Sequence, residues 1–244
     1  NVESILMTVK RKRFNVKNQM YLLIGNSRWH WAIKKGSSLT FKNTEPNPKE
    51  FKSINIDNLQ WAAVGPLPKS LQLKANLEIT SKDIPLLNTP PWIGVDRALA
   101  GWEAYKQAKA LGLESTGLLV ADAGTVFSMT KITGNGEFSG GQLLPGKKLQ
   151  IQAMTTEAEN LKKLKPRKIG KAIPLFPLDT IEAMERGAIQ SLTGAIHEAL
   201  LATKMPLWLC GGDAPQILKE LEGRKLNIIY QPNLILNGMI SLLN

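Results

Sequence analysis

The chain of 244 residues has one cysteine, Cys210, and two histidines, His30 and His197. No internal disulfide is possible, and the wide spacing of the histidines leaves no ligand cluster for a zinc site. Aromatic residues make up only 6% of the chain, and no apolar run approaches the roughly 20 residues that a membrane-spanning helix needs. The sequence also lacks a charged start followed by an apolar stretch, so no export signal is read in it. The expected setting is a reducing cytoplasm with no membrane partner. Two familiar phosphate-binding patterns are missing as well: no G-x-x-x-x-G-K-[ST] occurs, and no G-x-G-x-x-G opens a helix after a strand.

Acidic residues are scarce beside basic ones, 20 against 31, which gives a formal charge of +11. Such an excess attracts nucleic acid when it is gathered on one face. Here much of it falls in two runs, residues 10–13 and 162–171. Blocks of like charge repel and stay solvated, so nucleic acid is not the expected partner, although the second run is placed to attract an anionic substrate.

What is present, with 43% hydrophobic residues and 20 glycines, is a globular composition with a repeated pattern. An apolar strand enters a tight glycine turn ending in a hydroxyl side chain twice, in Leu23-Ile24-Gly25-Asn26-Ser27 and in Asp122-Ala123-Gly124-Thr125. Overlaid on Gly25 and Gly124, the copies differ where Leu23 faces Asp122. Glycine lets the main chain approach an anion, and the turn offers backbone N–H groups and a hydroxyl. One copy reads as a plain hairpin turn; two in matching positions of two halves point to phosphate.

The periodicity predicts a basic extension over 1–18 and a first lobe over 19–114. That lobe has a hairpin of Met20–Ile24 with Arg28–Ile33, a loop with one short strand over Thr40–Ile54, a buried strand over Leu59–Val64 stopping at Gly65, and a helix from Asp96 to Gly112. In that helix Leu99, Trp102, Tyr105 or Lys106, and Ala108 to Leu111 share one face. A second lobe, 115–244, opens with three antiparallel strands. It continues with helices over Lys147–Leu161 and Asp179–Ala202, a strand over Leu207–Cys210 ending at Gly211-Gly212, and a helix over Gln216–Glu222. Asp179 with Glu182 reads as a capping box. Strands and helices alternating in each half imply an α/β fold with mixed sheets flanked by helices.

Taken together, Leu23–Ser27, the G-x-D-R run Gly94-Val95-Asp96-Arg97, the D-x-G-T run Asp122–Thr125, the glycine pair Gly140-Gly141 before Pro145-Gly146, Thr180, and Gly211-Gly212 resemble the type III pantothenate kinases, in order along nearly the whole chain after the basic start. The resemblance implies two similar actin-like, ribonuclease H-like lobes and ATP-dependent phosphorylation of pantothenate to 4'-phosphopantothenate, the first step toward coenzyme A. It implies that Asp96 is the general base and that Gly94, Val95, Asp96, Arg97 and Thr180 bind pantothenate. ATP would be met by Leu23, Ile24, Gly25, Asn26, Ser27, Arg28, Trp29, His30, Thr125, Gly211 and Gly212. Asp122 would bind a monovalent cation, potassium or ammonium, and magnesium would accompany ATP. A homodimer with the substrate pocket at its interface is also implied.

Each residue has a plainer use as well. Asp96 suits a helix N-cap, Thr180 a cap of the following helix, and Asp122 an Asx-turn. Leu23 departs from the family, which has aspartate there. Either magnesium is held by ATP, water and the remaining carboxylates, or the protein is a slow kinase, or it is a non-catalytic regulatory homologue on the same fold. A kinase for another small hydroxyl compound is a further alternative.

Overall fold

The computed structural model describes residues 18–163 and 173–243. The basic run 10–13, the expected extension 1–18 but for Asn18, and most of the run 162–171 lie outside the described residues. Two compact units emerge. The first takes residues 18–117, 132–139 and 233–243, and the second 118–131 and 140–232.

In the first unit, β1 (Asn18–Ile24) and β2 (Trp29–Lys35) form the expected hairpin, with Leu23 opposite His30 and Ile24 opposite Trp29. The stretch read as loop with one short strand holds a full seven-residue strand, β3 (Ser38–Thr44), and a 3-10 turn over Pro48–Ser53 capped by the Asn47 side chain. β3 is an edge strand whose side chains are mostly exposed, so its polar sequence carries no alternating apolar signal. β4 (Leu59–Ala63) runs parallel to β1, which gives the sheet order β3-β2-β1-β4.

Both faces of this sheet are buried. Leu22, Ile24, Trp29, Trp31, Leu59 and Trp61 form a core on one face, where the Trp29 and Trp31 rings meet Phe51. Tyr21, Leu23, Ala32 and Ala62 fill the other, and their near-continuous apolar character is that of a strand covered on both sides. Helix α1 (Val95–Ala110) packs against β4. Its buried face is built of Val95, Ala98, Leu99, Ala100, Gly101, Ala104 and Ala108, whereas Leu111, expected inside, is exposed.

In the second unit, β5 (Leu118–Ala123), β6 (Val126–Ile132) and β7 (Phe138–Pro145) follow one another, with only Gly124 and Thr125 between β5 and β6. A two-residue connection requires antiparallel strands. Helices α2 (Lys147–Glu157) and α3 (Thr180–Thr203) come next, α2 stopping four residues before its expected end at Leu161. The Asp179 side chain accepts a hydrogen bond from the Glu182 N–H, and this fixes the start of α3. β8 (Leu207–Cys210) lies parallel to β5, α4 (Ala214–Leu221) follows, and β9 (Ile228–Tyr230) closes the order β7-β6-β5-β8-β9. The first four positions repeat the order of the first sheet. The last helix, α5 (Leu234–Leu243), belongs to the first unit, where it packs on α1 and β1. Neither β9 nor α5 was anticipated from the sequence.

Candidate active site

The first glycine turn leaves β1 at Ile24. The Gly25 N–H donates to the Arg28 carbonyl at 3.0 Å, closing the turn, and Asn26, Ser27 and Arg28 are exposed on it. A Cβ on Gly25 would lie 2.7 Å from that carbonyl oxygen. The turn is braced from β4's end: Val64 and Gly65 N–H groups both donate to the Ile24 carbonyl at 3.0 Å, and a Cβ on Gly65 would stand 2.2 Å from the Gly25 oxygen. Trp29, grouped by the resemblance with the nucleotide residues, is 1% exposed, and the core takes up its ring. Leu23 is 3% exposed. His30 stands opposite it, its Nδ1 2.8 Å from Asn43 Oδ1, and burial pushes the imidazole below the usual histidine range, helped by the Arg28 charge.

Gly94 caps the N-terminus of α1 with extended backbone. A Cβ there would lie 2.5 Å from Asp96 Oδ1, so glycine is what leaves room for this carboxylate. Asp96 Oδ1 accepts the Arg97 N–H at 2.7 Å. Burial raises the Asp96 pKa above the usual carboxylate range, against the backbone hydrogen bonds and the Arg97 charge, which lower it. The Arg97 guanidinium lies 5.8 Å from the Phe138 ring, and Phe138 meets Trp92 edge-on at 6.3 Å. Trp92 is 69% exposed. A partly desolvated carboxylate, a fork-shaped cation and an aromatic pair of exposed Trp92 and half-buried Phe138 thus gather at one helix start. That set suits a small acceptor carrying both a hydroxyl and an anionic group.

In the second unit the turn is braced from the ends of both β7 and β8. The Gly146 N–H donates to the Thr125 carbonyl at 2.9 Å, and a Cβ on Gly146 would lie 2.2 Å from the Gly124 oxygen. Gly211, at φ +93°, approaches the backbone of Ala123, and a Cβ on it would stand 2.5 Å from Asp122 Oδ1. Asp213 N–H donates to the Ala123 carbonyl. Thr125 and Gly212 are exposed. Beside the turn, Lys147 Nζ sits 3.1 Å from Glu185 Oε2 and donates to Gln216 Oε1 at 2.9 Å, and burial raises the Asp213 pKa. Thr180 is exposed at the first position of α3.

Within the first unit, therefore, Leu23, Gly25 and His30 come together, as do Gly94, Asp96 and Arg97. Within the second, Asp122, Gly124, Thr125 and Gly211 come together. Sequence reasoning missed the brace glycines Gly65 and Gly146 as such, and the Lys147 cluster. The available signal was a glycine directly after an apolar strand, read only as a turn.

No group of three or more His, Cys, Asp or Glu that could hold a metal directly exists among the described residues, and magnesium characteristically keeps several waters. No helix among the described residues is long and apolar enough to cross a membrane.

The family model for type III pantothenate kinase matches residues 74–201. A type III pantothenate kinase from Nostoc sp. is 30% identical over 92% of this chain and 94% of its own length. One from Synechocystis sp. is also 30% identical, over 91% of this chain and 88% of its own. Among solved structures, a Baf family protein from Campylobacter jejuni superposes with a TM-score of 0.60 at 19% identity, covering 92% of this chain and 96% of that one. A Sinorhizobium meliloti protein named as a 2-dehydro-3-deoxygalactonokinase does so at 0.56 and 11%, covering 92% and 95%. The fold is the expected mixed α/β fold, shared with these two solved structures. The non-catalytic alternative finds no support in these comparisons.

Proposed function

The chain belongs to the type III pantothenate kinase family, and on that premise we propose that it transfers the γ-phosphoryl group of ATP to the primary hydroxyl of pantothenate. The observation that carries the reading is Asp96: a carboxylate with its pKa raised by burial, held at a helix start next to Arg97, with Gly94 making the space it occupies. In this reading Asp96 orients the hydroxyl and takes its proton as the oxygen attacks the γ-phosphorus and the bond to the β-phosphate oxygen breaks, releasing ADP. Arg97 pairs with the pantothenate carboxylate, a match of fork to anion, and Thr180 supplies a hydroxyl contact.

Each glycine turn offers backbone N–H groups and a hydroxyl, Ser27 or Thr125, to the phosphates, while Gly211 and Gly212 let adenosine near the main chain. Magnesium carried by ATP would supply charge neutralisation at the phosphoryl oxygens. The Asp122 carboxylate, crowded by Gly211 and backbone, is suited to a weakly hydrated monovalent cation, potassium or ammonium. The reading includes a homodimer, supported by the exposed side chains of Leu175, Phe176 and Leu178 just before Thr180. A strict monomer by light scattering contradicts that part.

The deciding assay is ADP release by purified protein with magnesium, with and without pantothenate and potassium. Release that requires both supports the reading. No pantothenate-dependent release overturns it.

A further inference from the structure

Leu23, His30 and Asn43 form one row across the first sheet: β1 sets Leu23 opposite His30, and β2 sets His30 opposite Asn43. Directly opposed residues share a face, so the imidazole stands on the same side of the sheet as position 23, beside it. His30 Nε2 lies 3.6 Å from where a Cβ on Gly25 would be, so this ring atom borders the first glycine turn. The other ring nitrogen, Nδ1, is 2.8 Å from Asn43 Oδ1. An amide oxygen only accepts, so Nδ1 carries the hydrogen. Burial and the neighbouring Arg28 lower the imidazole pKa, against the Asn43 hydrogen bond, which raises it, and Arg28 is in turn 3.9 Å from Glu45.

The consequence is a lone pair on Nε2 at the border of the turn. It cannot accept from a phosphate oxygen, which has no proton to give. The Gly25 N–H is already committed to the Arg28 carbonyl. Water polarised by a divalent cation is a strong donor, and a carboxylate at position 23 would accept from such water at this same row.

We propose that His30 positions hydrated magnesium by accepting a hydrogen bond from one of its waters at Nε2, taking up in β2 the role that Leu23 cannot play in β1, with Asn43 fixing the tautomer. This rests on the kinase reading above.

The test is the affinity of the imido analogue of ATP, measured calorimetrically with magnesium and again with chelator, in wild type, His30→Ala, Asn43→Ala and Leu23→Asp/His30→Ala. Outer-shell partners of a metal typically contribute about 10-fold to 100-fold in affinity. His30→Ala is expected to weaken the magnesium complex by about that factor, and by more than any loss of metal-free binding. Asn43→Ala, on the exposed edge strand, should give a smaller loss of the same magnesium-specific kind. The double variant, once its melting curve shows it folded, should recover affinity. Nitrogen NMR of the wild-type ring should show Nδ1 protonated and Nε2 bare.

A loss equal with and without magnesium, no loss in either single variant, a folded double variant that gains nothing, or the opposite tautomer overturns the proposal. Failure of the wild type to bind the magnesium analogue, or to release ADP with pantothenate, would instead be failure of the kinase reading.

Discussion

Asp96 carries opposite demands. Its folded pKa is raised by burial, so the folded chain holds this proton more tightly than the unfolded chain does, and the ionised carboxylate costs stability at pH above its folded pKa. That cost fades as pH falls through the folded pKa and is gone below the unfolded one. Asp96→Asn keeps an oxygen for the Arg97 N–H but never ionises. It is expected to lower kcat by roughly 10²–10⁴-fold and yet to melt higher than wild type at neutral pH, the gap closing on acidification. Paired melting curves and single-turnover rates across pH check both signs. The acid limb of kcat/KM should also sit higher than an ordinary aspartate would place it. Gly65 makes a second prediction at this scale. A Cβ 2.2 Å from the Gly25 oxygen meets backbone that cannot rotate away, so Gly65→Ala should cost about 1–3 kcal/mol in urea unfolding and raise KM for ATP more than KM for pantothenate.

Among the elements, those with local signals were legible and those defined by neighbours were not. The two turns announce themselves by a glycine with a hydroxyl residue within two positions after an apolar strand, and the start of α1 by Gly94 with Asp96. The bracing of Gly25 by Gly65, and of Gly124 by Gly146, joins residues brought together by strand order and register, which short-range patterns do not contain. The Leu23 and His30 pair depends on register in the same way. β3 was hidden because an edge strand with exposed side chains need not alternate. α5, LILNGMISLL, is apolar nearly all round and lacks the periodic polar face that marks a surface helix. α3 did reveal its start. Asp179→Ala removes the acceptor of the Glu182 N–H and should cost about 1 kcal/mol, seen as a lowered unfolding midpoint without the shift in KM for ATP expected of Gly65→Ala.

At the scale of the whole molecule, the chain passes between its two units four times, at 117/118, 131/132, 139/140 and 232/233. The last passage delivers α5 to α1. Gly238 lies so close that a Cβ on it would stand 2.7 Å from the Leu99 oxygen, and Ser241 Oγ donates to Glu103 Oε2 at 2.8 Å. Leu234, Leu236 and Met239 are buried there. Removing residues 233–244 should therefore leave a chain that aggregates or binds hydrophobic dyes, read by size exclusion and dye fluorescence. Protein synthesis adds an order in time. Domains made first usually fold first as they leave the ribosome. Here the unit that contains β1 waits for α5, which is translated after every other described element, while the second unit has all its described segments by residue 232. Nascent chains stalled with 233–243 still in the exit tunnel should show protease resistance over the second unit and cleavage in the first. Reversing that order by circular permutation, with α5 placed ahead of β1, should let the first unit mature early.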